Sequence, residues 1–121
     1  MKRIMVVDDE KDQVFSIKKS MEAFYGDTYE IIPIYSGPAC LDYIEQGTDL
    51  PDLIILDIMM QEMNGLTVYK QLKDNKKTQD IPIIFLTAGT CDHTNDIPQA
   101  FCIEKPISAE ELKQQIDIVL K

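Results

Sequence analysis

At 121 residues, with 45% apolar and 27% charged side chains, the chain has the length and composition of one globular domain able to bury a real core. Its formal net charge of -9 argues against nonspecific nucleic-acid binding, which needs clustered Lys and Arg. The apolar run after Met1-Lys2-Arg3 stops at Asp8-Asp9-Glu10, too short for the core of a signal peptide, and no apolar stretch reaches membrane-spanning length.

In chain order, Ile4-Met5-Val6-Val7 reads as a strand buried on both faces, because it is continuously apolar and does not alternate. Val14, Ile17, Met21 and Phe24 then share one face of a helix over about residues 11 to 25. Ile31-Ile32-Pro33-Ile34-Tyr35 is strand-like, but Pro33 cannot donate a ladder hydrogen bond, which sends this strand to a sheet edge. Ser36-Gly37-Pro38 opens a short helix carrying Cys40, Leu41 and Ile44. Leu53-Ile54-Ile55-Leu56 is a second fully buried strand, and Val68, Tyr69 and Leu72 mark a helix that starts after Gly65.

Ile83-Ile84-Phe85-Leu86 is a third buried strand. Between it and the edge run Ala100-Phe101-Cys102-Ile103 lies a polar segment whose Pro98 would break a helix. A loop or a single helical turn is expected there. The last helix is opened by Ser108 and Glu111 at capping-box spacing and continues through Leu112, Ile116, Val119 and Leu120. The alternation of strands and helices predicts an α/β fold: a flavodoxin-like, doubly wound, five-stranded parallel sheet of order 2-1-3-4-5, with helix 4 shortened or absent. Residues 1 to 121 read as a single domain with nothing left for an output domain. The three cysteines, Cys40, Cys91 and Cys102, are odd in number and widely spaced, which predicts reduced thiols in a cytoplasm. Cys91 and His93 read as solvated loop residues and not as a metal site.

Ligands of such a fold bind beyond the C-terminal ends of the strands, near the switch in strand order. Asp8, Asp9 and Glu10 follow the first strand, Asp57 the third, Thr87 ends the fourth, and Lys105-Pro106 follows the fifth. The first and third strands are neighbours in this order, so Asp8, Asp9 and Asp57 should converge. One of the three acids after the first strand could cap the next helix, but three exceed what capping needs. Two carboxylates about 4 Å apart repel by roughly 4 kcal/mol at an effective dielectric near 20, a cost that a hard divalent cation removes. Mg²⁺ suits the donor set: oxygen ligands, several retained waters, one or two carboxylates and a phosphate. Asp57 could then attack phosphorus, with Lys105 and Thr87 each holding a phosphoryl oxygen.

These residues resemble the response regulator receiver family of two-component signalling, of the chemotaxis-regulator type. The resemblance rests on Val6-Val7-Asp8-Asp9-Glu10, on Leu53 to Met60 around Asp57, on Met63-Asn64-Gly65, on Thr87-Ala88 and on Lys105-Pro106, and it spans essentially the whole chain. It implies a stand-alone cytoplasmic phosphoprotein, not an enzyme with separate turnover, which takes a phosphoryl group on Asp57 from a histidine kinase or phosphotransfer protein and then docks to a downstream protein. It implies Mg²⁺ held by Asp8, Asp9, Asp57 and the Met59 carbonyl, and a cis bond between Lys105 and Pro106. No nucleic acid or membrane partner is implied. The alternative is a degenerate receiver that binds proteins without being phosphorylated. A phosphatase reading with the same Asp, Thr and Lys fails because Met59 stands where that chemistry needs a second acid.

Three departures from the family pattern stand out. Gln61 replaces the usual Pro, which is expected to change only loop rigidity. Cys102 replaces the usual aromatic residue three before the Lys. The segment between Thr87 and Lys105 is short. The flexible stretch from Ala88 to Gln99 is therefore expected to be the part that moves when Thr87 responds to phosphorylation.

Overall fold

The computed structural model describes residues 2–89, 91 and 102–120. Among them five parallel strands form one sheet of order β2-β1-β3-β4-β5: β1 (Lys2–Val7), β2 (Tyr29–Ile34), β3 (Leu53–Leu56), β4 (Ile83–Thr87) and β5 (Cys102–Glu104). The described helices are α1 (Lys11–Tyr25), α2 (Gly37–Gln46), α3 (Gly65–Asp74) and α4 (Ala109–Val119). The expected fold and strand order are borne out. The expectation about helix 4 falls on residues 90 and 92–101, outside the described ones.

The uninterrupted apolar strands are explained by two cores, one on each face of the sheet. Met5, Val7, Ile54, Leu56, Ile83 and Phe85 point towards α2 and α3, where Ile44, Val68 and Leu72 meet them. Ile4, Val6, Leu53, Ile55, Ile84 and Leu86 point the other way, towards Val14, Ile17 and Met21 of α1 and Leu112 and Ile116 of α4. With period-2 alternation, a strand covered on both sides has no position left for a polar residue until it ends. β2, by contrast, is only half buried and lies at the edge, with Pro33 opposite Val6. That is where a residue without an N–H is tolerated.

The helix signals act locally as the sequence suggests. The Ser36 hydroxyl accepts from Ala39 N–H at the start of α2, and the Ser108 hydroxyl accepts from Glu111 N–H while donating to the Glu111 carboxylate at the start of α4. One apolar assignment needs correction. Phe24 is 38% exposed, and the next residue, Tyr25, occupies the inner face instead. Both lie one turn beyond Met21, at i+3 and i+4, so spacing alone does not choose between them. Tyr25 wins because its hydroxyl reaches Asp117 and the Lys113 carbonyl on α4 while its ring packs edge-on against Tyr29. Burial, and then the Asp117 carboxylate, push the Tyr25 phenol up from its ordinary value.

Candidate functional site

The ladder continues one step past the strand ends and so places the polar residues. Asp8 N–H donates to the Ile34 carbonyl, Asp57 N–H to the Val7 carbonyl, and Lys105 N–H to the Thr87 carbonyl. Asp8 and Asp57 thereby stand side by side beyond β1 and β3, and Lys105 stands beside the end of β4. The bond between Lys105 and Pro106 is cis, as expected.

Asp8, Asp9 and Asp57 each offer a carboxylate oxygen, and the three atoms lie within 4.8 Å of one another. Asp8 and Asp57 are buried, Asp57 at 5% exposure, while Asp9 is half-exposed. The Lys105 ammonium sits 2.9 Å from Asp8 Oδ2 and 3.9 Å from Asp57 Oδ2. Three carboxylates facing one ammonium leave two negative charges uncompensated. A cluster of oxygen donors with that deficit is able to coordinate a hard divalent cation. Burial, and then the Asp8 charge, push the Asp57 carboxyl up to about 6, against the opposing pull of Lys105 and the Met59 N–H.

None of the three acids serves α1 as a side-chain cap. Glu10 is the N-cap residue and makes no such bond, and Asp8 Oδ1 instead accepts from Glu10 N–H at 2.9 Å. Asp57 Oδ1 accepts from Met59 N–H at 3.1 Å. Met60 is buried, Met63 packs against the core, and Met59 is 58% exposed beside the site. Thr87 is fully buried, and its hydroxyl accepts from Gly89 N–H at 3.1 Å.

Several contributors are invisible in side-chain chemistry. Gln61 N–H donates to Asp9 Oδ2 at 3.1 Å, so the residue at this position does more than alter loop rigidity. A proline there would have no hydrogen to give. Gly65 N–H donates to the Ile58 carbonyl, and a β-carbon on Gly65 would lie 2.2 Å from the Asp57 carbonyl oxygen. The loop can therefore close under Asp57 only over a glycine. Met63-Asn64-Gly65 was a family mark in the sequence, but this contact was not derivable from it.

The expectation of reduced thiols is corrected for two of the three cysteines. Cys91 and Cys102 are joined by a disulfide, with Cα atoms 6.0 Å apart, and Cys40 is free and buried. An odd count fixes only that one thiol is left over. It does not exclude a pair that the fold brings together.

Residues 4–117 match the family described as response regulator receiver domain. The response regulator PleD of Caulobacter vibrioides is 41% identical over 86 residues, covering 71% of this chain and 18% of PleD. The transcriptional regulatory protein DltR of Streptococcus agalactiae is 38% identical over 119 residues, covering 94% of this chain and 50% of DltR. The chain thus spans half or less of these curated relatives. The crystal structure of the response regulator TrrA of Thermotoga maritima, in complex with Mg²⁺-BeF, superposes with a TM-score of 0.79 at 31% identity, covering 98% of this chain and 99% of that one.

Proposed function

This chain belongs to the response regulator receiver domain family, and we propose that it accepts a phosphoryl group on Asp57 in a Mg²⁺-dependent reaction. Receiver domains of this class act as phosphoacceptors and do not turn over an external substrate. The observation that carries the proposal is the cluster of Asp8, Asp9, Asp57 and the Lys105 ammonium at the switch in strand order. TrrA, similar over nearly its whole length, was crystallised with Mg²⁺-BeF, which supports both the metal and the chemistry.

Asp8, Asp9, Asp57 and the Met59 carbonyl would hold Mg²⁺, which when bound supplies positive charge against the phosphoryl oxygens. The chain's own groups do the rest. The Asp57 carboxylate attacks phosphorus and forms an acyl phosphate as the phosphorus–nitrogen bond of the donor's phosphohistidine breaks and the imidazole leaves, and positioning matters more than covalent machinery in such a transfer. The Lys105 ammonium, already between Asp8 and Asp57, turns to one phosphoryl oxygen. The Thr87 hydroxyl, which accepts from Gly89 N–H, donates its own hydrogen to another. The donor is a histidine kinase or phosphotransfer protein, the site of action is the cytoplasm, and the signal passes onward by docking or by relay. No helix among the described residues is long and apolar enough to cross a membrane.

Incubation with Mg²⁺ and acetyl phosphate should add one phosphoryl group by intact-mass analysis. Asp57→Asn should abolish the addition. Unchanged labelling of that variant would show that the nucleophile lies elsewhere. A protein that never labels, with or without Mg²⁺, would favour the phosphorylation-independent binding module.

A further inference from the structure

We infer that Cys91 and Cys102 form a reversible thiol–disulfide site whose redox state sets how readily the domain accepts a phosphoryl group. The inference rests on Asp57 being the phosphoacceptor. The pair joins two short segments, each carrying a candidate phosphoryl ligand. Residues 87–91 begin at Thr87, and residues 102–105 end at Lys105.

The two segments are already fastened side by side at the strand ends. Cys102 pairs in register with Phe85, and Glu104 with Thr87. Lys105 N–H donates to the Thr87 carbonyl. Cys91 N–H donates to Glu104 Oε2 at 2.9 Å, so the disulfide is the second link between Cys91 and β5. The Thr87 hydroxyl is fully buried and accepts from Gly89 N–H. To reach a phosphoryl oxygen the buried Thr87 side chain must move, and the stretch that carries Gly89, bonded to it, and Cys91, two residues on, must follow. The disulfide anchors the far end of that stretch. Reduction removes the covalent anchor, so the dithiol form should respond more readily.

The chemistry is thiol–disulfide exchange with a low-molecular-weight disulfide such as oxidised glutathione. One protein thiolate attacks a glutathione sulfur, breaks the glutathione S–S bond and forms a mixed disulfide. The second protein thiolate then attacks the protein sulfur and expels the remaining glutathione. The two cysteines are oxidised, one oxidised glutathione becomes two reduced molecules, and the two protein thiol protons end on them. A dithiol reductant reverses the sequence. Cys91 and Cys102 are both half-buried and accessible to such a reagent. Cys40 stands apart: it is buried against Met5, and burial pushes its thiol up to about 12, which keeps it protonated and unreactive.

The test compares full-length protein treated with dithiothreitol and with oxidised glutathione, each removed before assay. Intact mass should show the oxidised form lighter by two hydrogens, with no glutathione retained. Its initial rate of labelling by acetyl phosphate and Mg²⁺ should be lower than that of the reduced form by at least about fivefold, the lower end of ordinary coupling between sites. The double variant Cys91→Ser, Cys102→Ser should label at the fast rate after either treatment. Equal rates in the two redox forms, failure to form the internal disulfide, or a double variant that still slows after oxidation would each overturn the inference. No labelling in either form would overturn the phosphoacceptor reading, and this inference with it.

Discussion

At the scale of single residues, the site is defined by charges held where water cannot screen them well. Asp57 shows the consequence. Its carboxyl, pushed up to about 6 from an ordinary 3.8, binds a proton more tightly in the folded chain than in the unfolded one. It therefore contributes stability that is complete below about pH 4 and lost as pH rises through 6. A shift of about two units corresponds to a loss on the order of 3 kcal/mol. In EDTA, urea unfolding should find Asp57→Asn more stable than the parent above pH 6, with the gap closing towards pH 4. A gap independent of pH would contradict this assignment of the raised carboxyl. Gln61 offers a second test, because its contribution is a backbone hydrogen and not a side chain. Gln61→Pro removes the donor to Asp9, and Gln61→Ala keeps it. Calorimetric titration should show Mg²⁺ affinity falling by roughly threefold to tenfold in the proline variant, as for loss of one net hydrogen bond, and unchanged in the alanine variant. Equal affinities would mean that Asp9 does not need this anchor.

At the scale of elements, the loop from β3 into α3 carries the tightest steric demand. It leaves the sheet at Asp57, turns, and enters α3 at Gly65, whose N–H returns to the Ile58 carbonyl. The Asn64 side chain caps the helix by accepting from Leu66 N–H at 2.7 Å. A methyl group on Gly65 would meet the Asp57 carbonyl oxygen at 2.2 Å and Ile58 Cα at 2.8 Å, both backbone atoms that cannot rotate away. Gly65→Ala should cost about 1–3 kcal/mol by chemical denaturation, the range for forced overpacking, and should depress Asp57 labelling more than the stability loss explains. Parental stability in that variant would show that the loop has room to shift. α2 makes a similar approach: a β-carbon on Gly37 would lie 2.8 Å from Met63 Cβ. The loop bearing the site is thus wedged between helix and sheet.

At the scale of the whole molecule, the sheet is built so that three carboxylates repel one another at its switch point. Among the described residues, one ammonium offsets them, that of Lys105. A cation that binds the folded chain alone raises its stability by mass action, by about 2.7 kcal/mol at a hundred times the dissociation constant. Thermal unfolding should therefore shift upwards with added Mg²⁺. Asp9→Asn should lose most of the shift while being no less stable than the parent in EDTA, since it also relieves repulsion. The same Mg²⁺ response in both proteins would place the metal elsewhere.

The sequence by itself determined the order of elements, the sheet topology and the acids, Thr87 and Lys105 at the strand ends. The physical reason is that a parallel sheet covered on both faces admits no polar residue until each strand stops, so the apolar runs in β1, β3 and β4 end where Asp8, Asp57 and Thr87 stand. Proline at position 33 marked the edge for an equally local reason, its missing hydrogen. Only the tertiary structure decided the contacts that depend on register between distant segments. Tyr25 rather than Phe24 turns inward because α4 presents Asp117 there. Gln61 serves Asp9 through an N–H that nearly every residue possesses, so its identity carries no sign of the role. Cys91 meets Cys102 because the fold sets Cys91 beside β5, where its N–H also finds Glu104. Sequence records what each residue can do, and the fold decides which partner is near enough for it to be done.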